Sequence, residues 1–219
     1  MSLQNCYLLI PARMGSKGFP LKNRELLKYT LDIIPEDMKS RAFVSTDDPQ
    51  IKNMAFNSGV GVIDRPESLA QDETSMKDVL KHFIDIQKIT CKEDVILLYL
   101  TYPERKWEDV EKIYGVFNKA DEKSLVCCEQ VEEHPYLCFH EKDNNKAELL
   151  VDHKFYRRQD YPSCVRLSMF VSCYNTEIVD NLHDLMFEEQ TYFYKLENHK
   201  IDVDYLEQYL NISKEENRL

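Results

Sequence analysis

The sequence predicts an α/β fold built on one largely parallel sheet with helices on both faces. Two observations carry this. Along the first half of the chain, short apolar runs alternate with amphipathic stretches. The runs, above all Cys6 to Ile10 and Asp94 to Leu100, are nearly continuous in apolar residues, as strands buried on both faces must be. The 219 residues suffice for one good core, so residues 1–219 read as a single domain.

Cys6 to Ile10 is the first strand. Pro11 breaks it into a loop with two glycines, Gly15 and Gly18, and three cations, Arg13, Lys17 and Lys22. Asn23 to Asp32 reads as a short helix. Arg41 to Thr46 is a second strand. It ends at Asp47-Asp48-Pro49, where an acidic cap followed by proline opens the helix Gln50 to Asn57. Gly59 to Ile63 is a short third strand, and Asp64-Arg65-Pro66 turns the chain. Thr74 or Ser75 caps the next helix, whose Met76, Val79, Leu80 and Phe83 recur at helical spacing. Asp94 to Leu100 is the central strand. Glu108 to Phe117 is an amphipathic helix with Val110, Ile113, Tyr114 and Phe117 inward.

The second half changes character. Leu125 to Cys128 is a strand. Val131 to Tyr161, rich in His, Tyr, Asn and charge, reads as a hairpin or arm leaving the core. Its aromatics, Tyr136, Phe139, Phe155 and Tyr156, suit apolar surface in this chain or in a second subunit. Val165 to Tyr174 is a strand, Thr176 to Leu185 a helix, Tyr192 to Leu196 a strand and Tyr205 to Leu210 a closing helix. The polar tail Ser213 to Leu219 reads as frayed.

Charge narrows the function classes. At −11, the chain is a poor general nucleic-acid binder. Binding an anionic nucleotide then needs a local cluster of cations or a metal, and the loop after the first strand supplies such a cluster. The seven cysteines, Cys6, Cys91, Cys127, Cys128, Cys138, Cys164 and Cys173, are scattered and form no Cys-x-x-Cys pair. They read as free thiols of a reducing compartment. Met1 to Asn5 lacks a basic start and a long apolar core, and no apolar run approaches the roughly 20 residues of a membrane helix. A cytoplasmic protein without a membrane segment is the expectation.

In a parallel sheet, ligands bind beyond the carboxyl ends of the strands, which is where the loop after Cys6 to Ile10 lies. Glycines allow close backbone approach, and N–H groups with fixed cations suit a polyphosphate. The loop is neither a Walker loop nor a Gly-x-Gly-x-x-Gly turn. Spacing alone leaves it equally a strand-to-helix loop with surface lysines. Asp202 and Asp204 alternate along an extended segment, so both face one side. Two such carboxylates suit Mg²⁺, or are a solvated strand end. Asp47 and Asp48 form a second acidic pair, better read as a helix cap. Arg157 and Arg158 point to opposite faces if extended. One guanidinium then matches a carboxylate bidentately, or the two are a surface pair.

The string Ile10-Pro-Ala-Arg-Met-Gly-Ser-Lys-Gly-Phe-Pro-Leu-Lys-Asn23 resembles the signature loop of the acylneuraminate cytidylyltransferases, the CMP–sialic acid synthetases. The likeness continues in order: Val44-Ser-Thr-Asp-Asp48, Arg65-Pro-Glu-Ser-Leu-Ala-Gln-Asp-Glu-Thr-Ser75, Val131-Glu-Glu-His-Pro-Tyr136, Arg157-Arg-Gln-Asp160 and Ile201-Asp-Val-Asp204. The resemblance implies a three-layer α/β/α, Rossmann-like nucleotide-diphospho-sugar transferase fold, with residues 131–161 as a protruding dimerisation arm. It implies transfer of CMP from CTP to an acidic nonulosonic sugar with release of pyrophosphate. In this reading Arg13 and Lys22 grip the triphosphate, and Ala12, Gly15, Ser16, Lys17, Asn23 and Arg65 bind the nucleotide. Tyr99, Thr101, Arg105, Arg157, Arg158 and Gln159 face the sugar, and Asp202 and Asp204 hold Mg²⁺. Taken singly, Asn23 is equally a helix cap and Arg65 equally the partner of a nearby acid.

Two departures fall on the sugar side. Where the family usually has Gln-Pro-Thr-Ser-Pro-Leu-Arg, this chain has Tyr99-Leu-Thr-Tyr-Pro-Glu-Arg105. Where the family has Asn-Gly-Ala, it has Leu167-Ser168-Met169-Phe170. The added bulk fits a different or smaller acceptor, or a weakened enzyme. Beside the transferase stand the same chemistry on an octulosonic acid, a nucleotide-binding homologue with weak or no turnover, and a purely structural protein in which the loop is incidental.

Overall fold

The computed structural model describes residues 3, 5–15, 19–90 and 93–216. The strands are β1 (Cys6–Pro11), β2 (Ala42–Thr46), β3 (Gly61–Asp64), β4 (Asp94–Leu97), β5 (Ser124–Gln130), β6 (Phe139–Lys142), β7 (Lys146–Leu149), β8 (Val165–Asn175) and β9 (Tyr192–Lys195). The helices are α1 (Lys22–Asp32), α2 (Pro49–Asn57), α3 (Met76–Gln87), α4 (Trp107–Phe117) and α5 (Leu206–Glu216).

Seven strands form one sheet in the order β3-β2-β1-β4-β8-β5-β9. β1 runs parallel to β2 and β4, β2 to β3, and β5 to β9. β8 runs antiparallel to both β4 and β5, so it alone opposes the other six. The strand cores alternate between two faces, as the pleat demands. Leu8, Ile10, Ile96 and Leu98 pack with Leu26 and Leu27 of α1, Ile51 of α2 and Val110 and Ile113 of α4. Leu9, Val95 and Leu97 pack on the other face with Leu80 and Phe83 of α3. Burying one leucine contributes on the order of 2 kcal/mol, against a few tenths for helix propensity. The apolar stripes therefore decide where the helices dock. The result is the expected three-layer α/β/α architecture.

Local signals work where the chemistry is local. Asp48 caps α2, accepting from the Gln50 N–H at 2.8 Å, and Ser75 caps α3, accepting from the Asp78 N–H at 3.1 Å. The expected helix Thr176 to Leu185 is corrected to a short 3-10 turn, Thr176–Asn181, followed by irregular chain. The chain leaves helical geometry at Leu182, whose backbone is extended, and a turn bonds the His183 N–H to Phe187 O at 2.7 Å. That path buries Val179, Leu182 and Met186 against the sheet, and Tyr174 OH reaches Met186 O at 2.9 Å. The closing helix runs past Leu210 to Glu216, through part of the tail read as frayed.

β6 and β7 form a separate antiparallel hairpin within the expected arm. Behind it, Tyr136 stacks on His153 at 4.3 Å and on Phe155 at 5.7 Å. Phe139, Leu150 and Tyr156 are exposed. The six described cysteines are free thiols, and Cys91 lies outside the described residues.

One irregularity bears on the site. The register of β8 against β5 jumps, with Val126 opposite Ser172 and Cys127 opposite Ser168. Met169, Phe170 and Val171 thus bulge away from β5. Two of the freed backbone groups find side chains from the turn after β4. Met169 N–H donates to Tyr102 OH at 3.1 Å, and Arg105 Nη1 donates to Phe170 O at 2.7 Å.

Candidate active site

The strand order reverses between β1 and β4, since the chain goes from β1 to β2 on one side and returns to β4 on the other. Such a switch point opens a crevice at the strands' carboxyl ends. A cleft of about 180 Å³ lies there. It is lined by Pro11, Arg13 and Gly15 after β1, Lys22 and Asn23 at the start of α1, and Arg65 after β3. Met76 at the start of α3 and Tyr99, Leu100 and Thr101 after β4 complete it.

The loop after β1 is held by bonds that sequence spacing does not display. Ala12 is fully buried and donates its N–H to Ser45 O at 2.9 Å, so it lies beneath the cleft, not on its lining. Met14 N–H donates to Asp47 Oδ1 at 2.6 Å. Gly15 has φ +84°, a left-handed conformation that glycine adopts without strain. Asn23 does more than lie near a helix start. Its Nδ2 donates to Arg13 O at 2.8 Å and ties α1 to the loop. Leu21, at φ 61°, takes the same left-handed region with a side chain, at a cost of about 1–2 kcal/mol. That turn starts α1 so that Lys22 falls on the cleft lining. Ser16 and Lys17 lie outside the described residues.

Among the described residues, three cations border this space. Arg13 pairs with Asp72 at 2.7 Å. Lys22 pairs with Asp204 Oδ1 at 2.9 Å. Arg65 is buried, with Nε on Ser45 Oγ at 3.2 Å and Nη2 on Ser45 O at 2.9 Å. Burial pushes the Arg65 pKa down to about 10, Asp47 opposing and the neighbouring Arg13 adding to the shift. It remains a cation at neutral pH. Fixed cations in a half-buried crevice suit a polyphosphate, because attraction there is stronger than in bulk water. Sequence reasoning did not place Asp72, Ser45 or Met76 in the site, and took Met76 for part of a helix's apolar face. Asp72 sits inside the Arg65-to-Ser75 motif, and its acidic character was the available signal.

The acidic pair lies on a segment that touches this lining. Val203 N–H donates to Thr101 O at 2.8 Å, which lays residues 202–204 beside the lining. Asp202 accepts from Tyr102 OH at 3.1 Å, and Asp204 accepts from Lys22. Among the described residues, no group of three or more His, Cys, Asp or Glu side chains forms a metal cluster. Two carboxylates are nevertheless the protein share that Mg²⁺ takes when phosphates and water complete its shell.

Other predicted residues sit elsewhere. Arg105 is buried behind the cleft and bonds to Phe170 O, Thr30 Oγ1 and Tyr99 O. Its guanidinium supports the wall that Tyr99 and Thr101 form. Arg157, Arg158 and Gln159 are exposed on the arm, where Arg157 grips Asp160 at 2.9 and 3.0 Å. They do not line the cleft.

The segment that carries the acidic pair is anchored by a buried carboxylate. Glu129 of β5 accepts from Arg166 at 2.9 Å, His199 at 2.7 Å and the Lys200 N–H at 3.2 Å. Burial alone would raise its pKa, but these bonds outweigh it and hold the carboxyl below 4.5. The unfolded chain therefore binds more protons than the folded one as pH falls below 4.5. Glu129 contributes stability above that pH, lost as pH falls through its folded value. Urea unfolding at pH 7 should show Glu129→Gln destabilised by about 1–3 kcal/mol. At pH 3 the difference from wild type should shrink. An equal difference at both values would detach Glu129 from the acid response.

Residues 7–216 match the family described as Cytidylyltransferase. An N-acylneuraminate cytidylyltransferase of Streptococcus agalactiae serotype V is 28% identical over 220 residues, covering 93% of this chain and 51% of that protein. The chain thus spans about half the length of these curated relatives. A CMP-N,N'-diacetyllegionaminic acid synthase of Legionella pneumophila is 32% identical over 143 residues, 59% of this chain and 60% of that one. Among solved structures, a CMP:2-keto-3-deoxy-manno-octonic acid synthetase complexed with CTP aligns with TM-score 0.66. The alignment covers 99% of this chain and 100% of that one at 14% identity, a likeness of fold. With its family match running nearly end to end, the chain belongs to the cytidylyltransferase family.

Proposed function

We propose that this chain transfers CMP from CTP to an acidic nonulosonic sugar and releases pyrophosphate. The observation that carries the reading is the cleft at the switch point, bordered by Arg13, Lys22 and Arg65 in a chain of net charge −11. The N-acylneuraminate and N,N'-diacetyllegionaminic acid enzymes among its relatives support the substrate class.

In the reaction, a sugar hydroxyl oxygen attacks the α-phosphorus in line, the bond to the β-phosphate oxygen breaks, and the hydroxyl proton passes to solvent. Little covalent work falls to the protein, so positioning and charge neutralisation dominate. Arg13 and Lys22 hold the triphosphate, with Lys17 as a further cation. Gly15 brings backbone close to the phosphates, and Ser16 is a further proposed contact to the nucleotide. Asn23 keeps its amide oxygen for the base while its Nδ2 holds the loop. Asp202 and Asp204 would hold Mg²⁺, which neutralises phosphate charge when bound. Tyr99 and Thr101 face the sugar from the lining, and Arg157, Arg158 and Gln159 would do so from the arm.

We propose a homodimer formed through residues 131–161. Tyr156, at 97% exposure, with Phe139 and Leu150, offers apolar surface that a second copy would cover. A strictly monomeric sedimentation profile would count against it. No helix among the described residues is long and apolar enough to cross a membrane. The reading is of a cytoplasmic enzyme.

Turnover is the test. Pyrophosphate release with CTP and a panel of nonulosonic and octulosonic acids should rise above a no-sugar blank with at least one nonulosonic acid. A panel without turnover sinks the transferase reading. CTP binding in such a chain would leave a nucleotide-binding homologue, the alternative that the bulk of Tyr99 and Tyr102 favours.

A further inference from the structure

We infer that Tyr102 is a positioning residue for Asp202, and that the bulge in β8 fixes both. The inference rests on the reading of Asp202 as one of the two Mg²⁺-binding carboxylates. Tyr102 is 4% exposed, and its ring meets Phe170 edge-on at 5.6 Å. Its hydroxyl is a crossing point for three segments. It accepts from Met169 N–H at 3.1 Å and lies 3.5 Å from Ser168 Oγ. It donates to Asp202 Oδ2 at 3.1 Å.

The direction of this chain follows from the bulge. Met169 N–H lost its β5 partner there and, being beside a buried hydroxyl, must donate to it. A phenol has one proton. With its oxygen accepting from Met169, that proton serves Asp202. Tyr102 covers Oδ2 only and leaves Oδ1 to a ligand. The backbone on either side is fixed as well, since Val203 N–H is held by Thr101 O at 2.8 Å. A carboxylate oriented in advance loses no rotamer freedom on taking a cation. Partners of this kind typically weigh about 10–100-fold in metal affinity.

The probe is Mn²⁺, titrated into the full chain at saturating CTP and read as protein-bound ion by water-proton relaxation. Y102F should weaken binding about tenfold. The same substitution should have no effect in a D202N background, because it acts through that carboxylate. Y102M, which fills the space without a hydroxyl, serves if Y102F loses its fold, as a thermal melt would report. Wild-type affinity in the tyrosine variants, with loss in D202N, overturns the role of Tyr102 and leaves the metal reading standing. If the wild type binds no Mn²⁺, or D202N binds as tightly as wild type, the metal reading fails and this inference with it.

Discussion

Lys22→Ala should lower kcat/KM for CTP by about 10²–10³-fold, the usual loss when one fixed donor to developing phosphate charge is removed. Lys22 is firmly built into the cleft lining. It opens α1 just after the left-handed turn at Leu21, its side chain is only 13% exposed, and Asp204 holds its ammonium at 2.9 Å. Its removal also takes this cation from Asp204. Lys22→Arg keeps the charge but not the compact ammonium, and should recover part of the rate. The fold should barely notice, because Asp204 is 60% exposed and pairs of this kind contribute about 0–1 kcal/mol. Pyrophosphate release against CTP concentration, with a thermal melt of each variant, separates the two effects. A loss below about fivefold with intact folding would make the Lys22–Asp204 contact structural and remove Lys22 from the triphosphate site.

What the sequence disclosed of this site depended on distance along the chain. The loop residues Arg13, Gly15, Lys22 and Asn23 stand close together in one string, whose resemblance to a family's signature loop proposed them, and all four line the cleft. Arg65, Tyr99 and Thr101 come from other strand ends, and the parallel sheet gathers such ends at one edge. The partners of these residues were not legible. Asp72 for Arg13 and Ser45 for Arg65 are fixed by tertiary packing, which no local pattern encodes. The same holds for the reversal of β8 and its bulge, since a buried strand reads alike in either direction. The stretch Thr176 to Leu185, read as a helix, keeps only a short turn at Thr176–Asn181, and the chain beyond it is irregular but still buries Val179, Leu182 and Met186.

Arg105 shows the limit most sharply, and it carries the largest expected effect on stability. Its place in a motif pointed to the sugar, but its guanidinium is buried behind the cleft wall. It donates to Phe170 O at 2.7 Å, Tyr99 O at 3.0 Å and Thr30 Oγ1 at 3.1 Å, joining the β8 bulge, the turn after β4 and α1. Burial lowers its pKa to about 10, with Tyr102, Cys127 and Asp109 opposing. It therefore stays charged at neutral pH, among neutral oxygens. Between pH 10 and about 12.5 the unfolded chain binds more protons. The stability term from Arg105 rises with pH there and is flat below pH 10, so titration of this group plays no part near neutrality. Arg105→Ala removes the cation but leaves three acceptors in the interior and a cavity. We expect a loss of about 3–5 kcal/mol in urea unfolding. Arg105→Met should lose less, because it fills the space and buries no charge. Both should raise KM, since Tyr99 and Thr101 lose the support behind them. A loss under about 1 kcal/mol in Arg105→Ala would mean that water satisfies the three oxygens and that the bulge does not depend on Arg105.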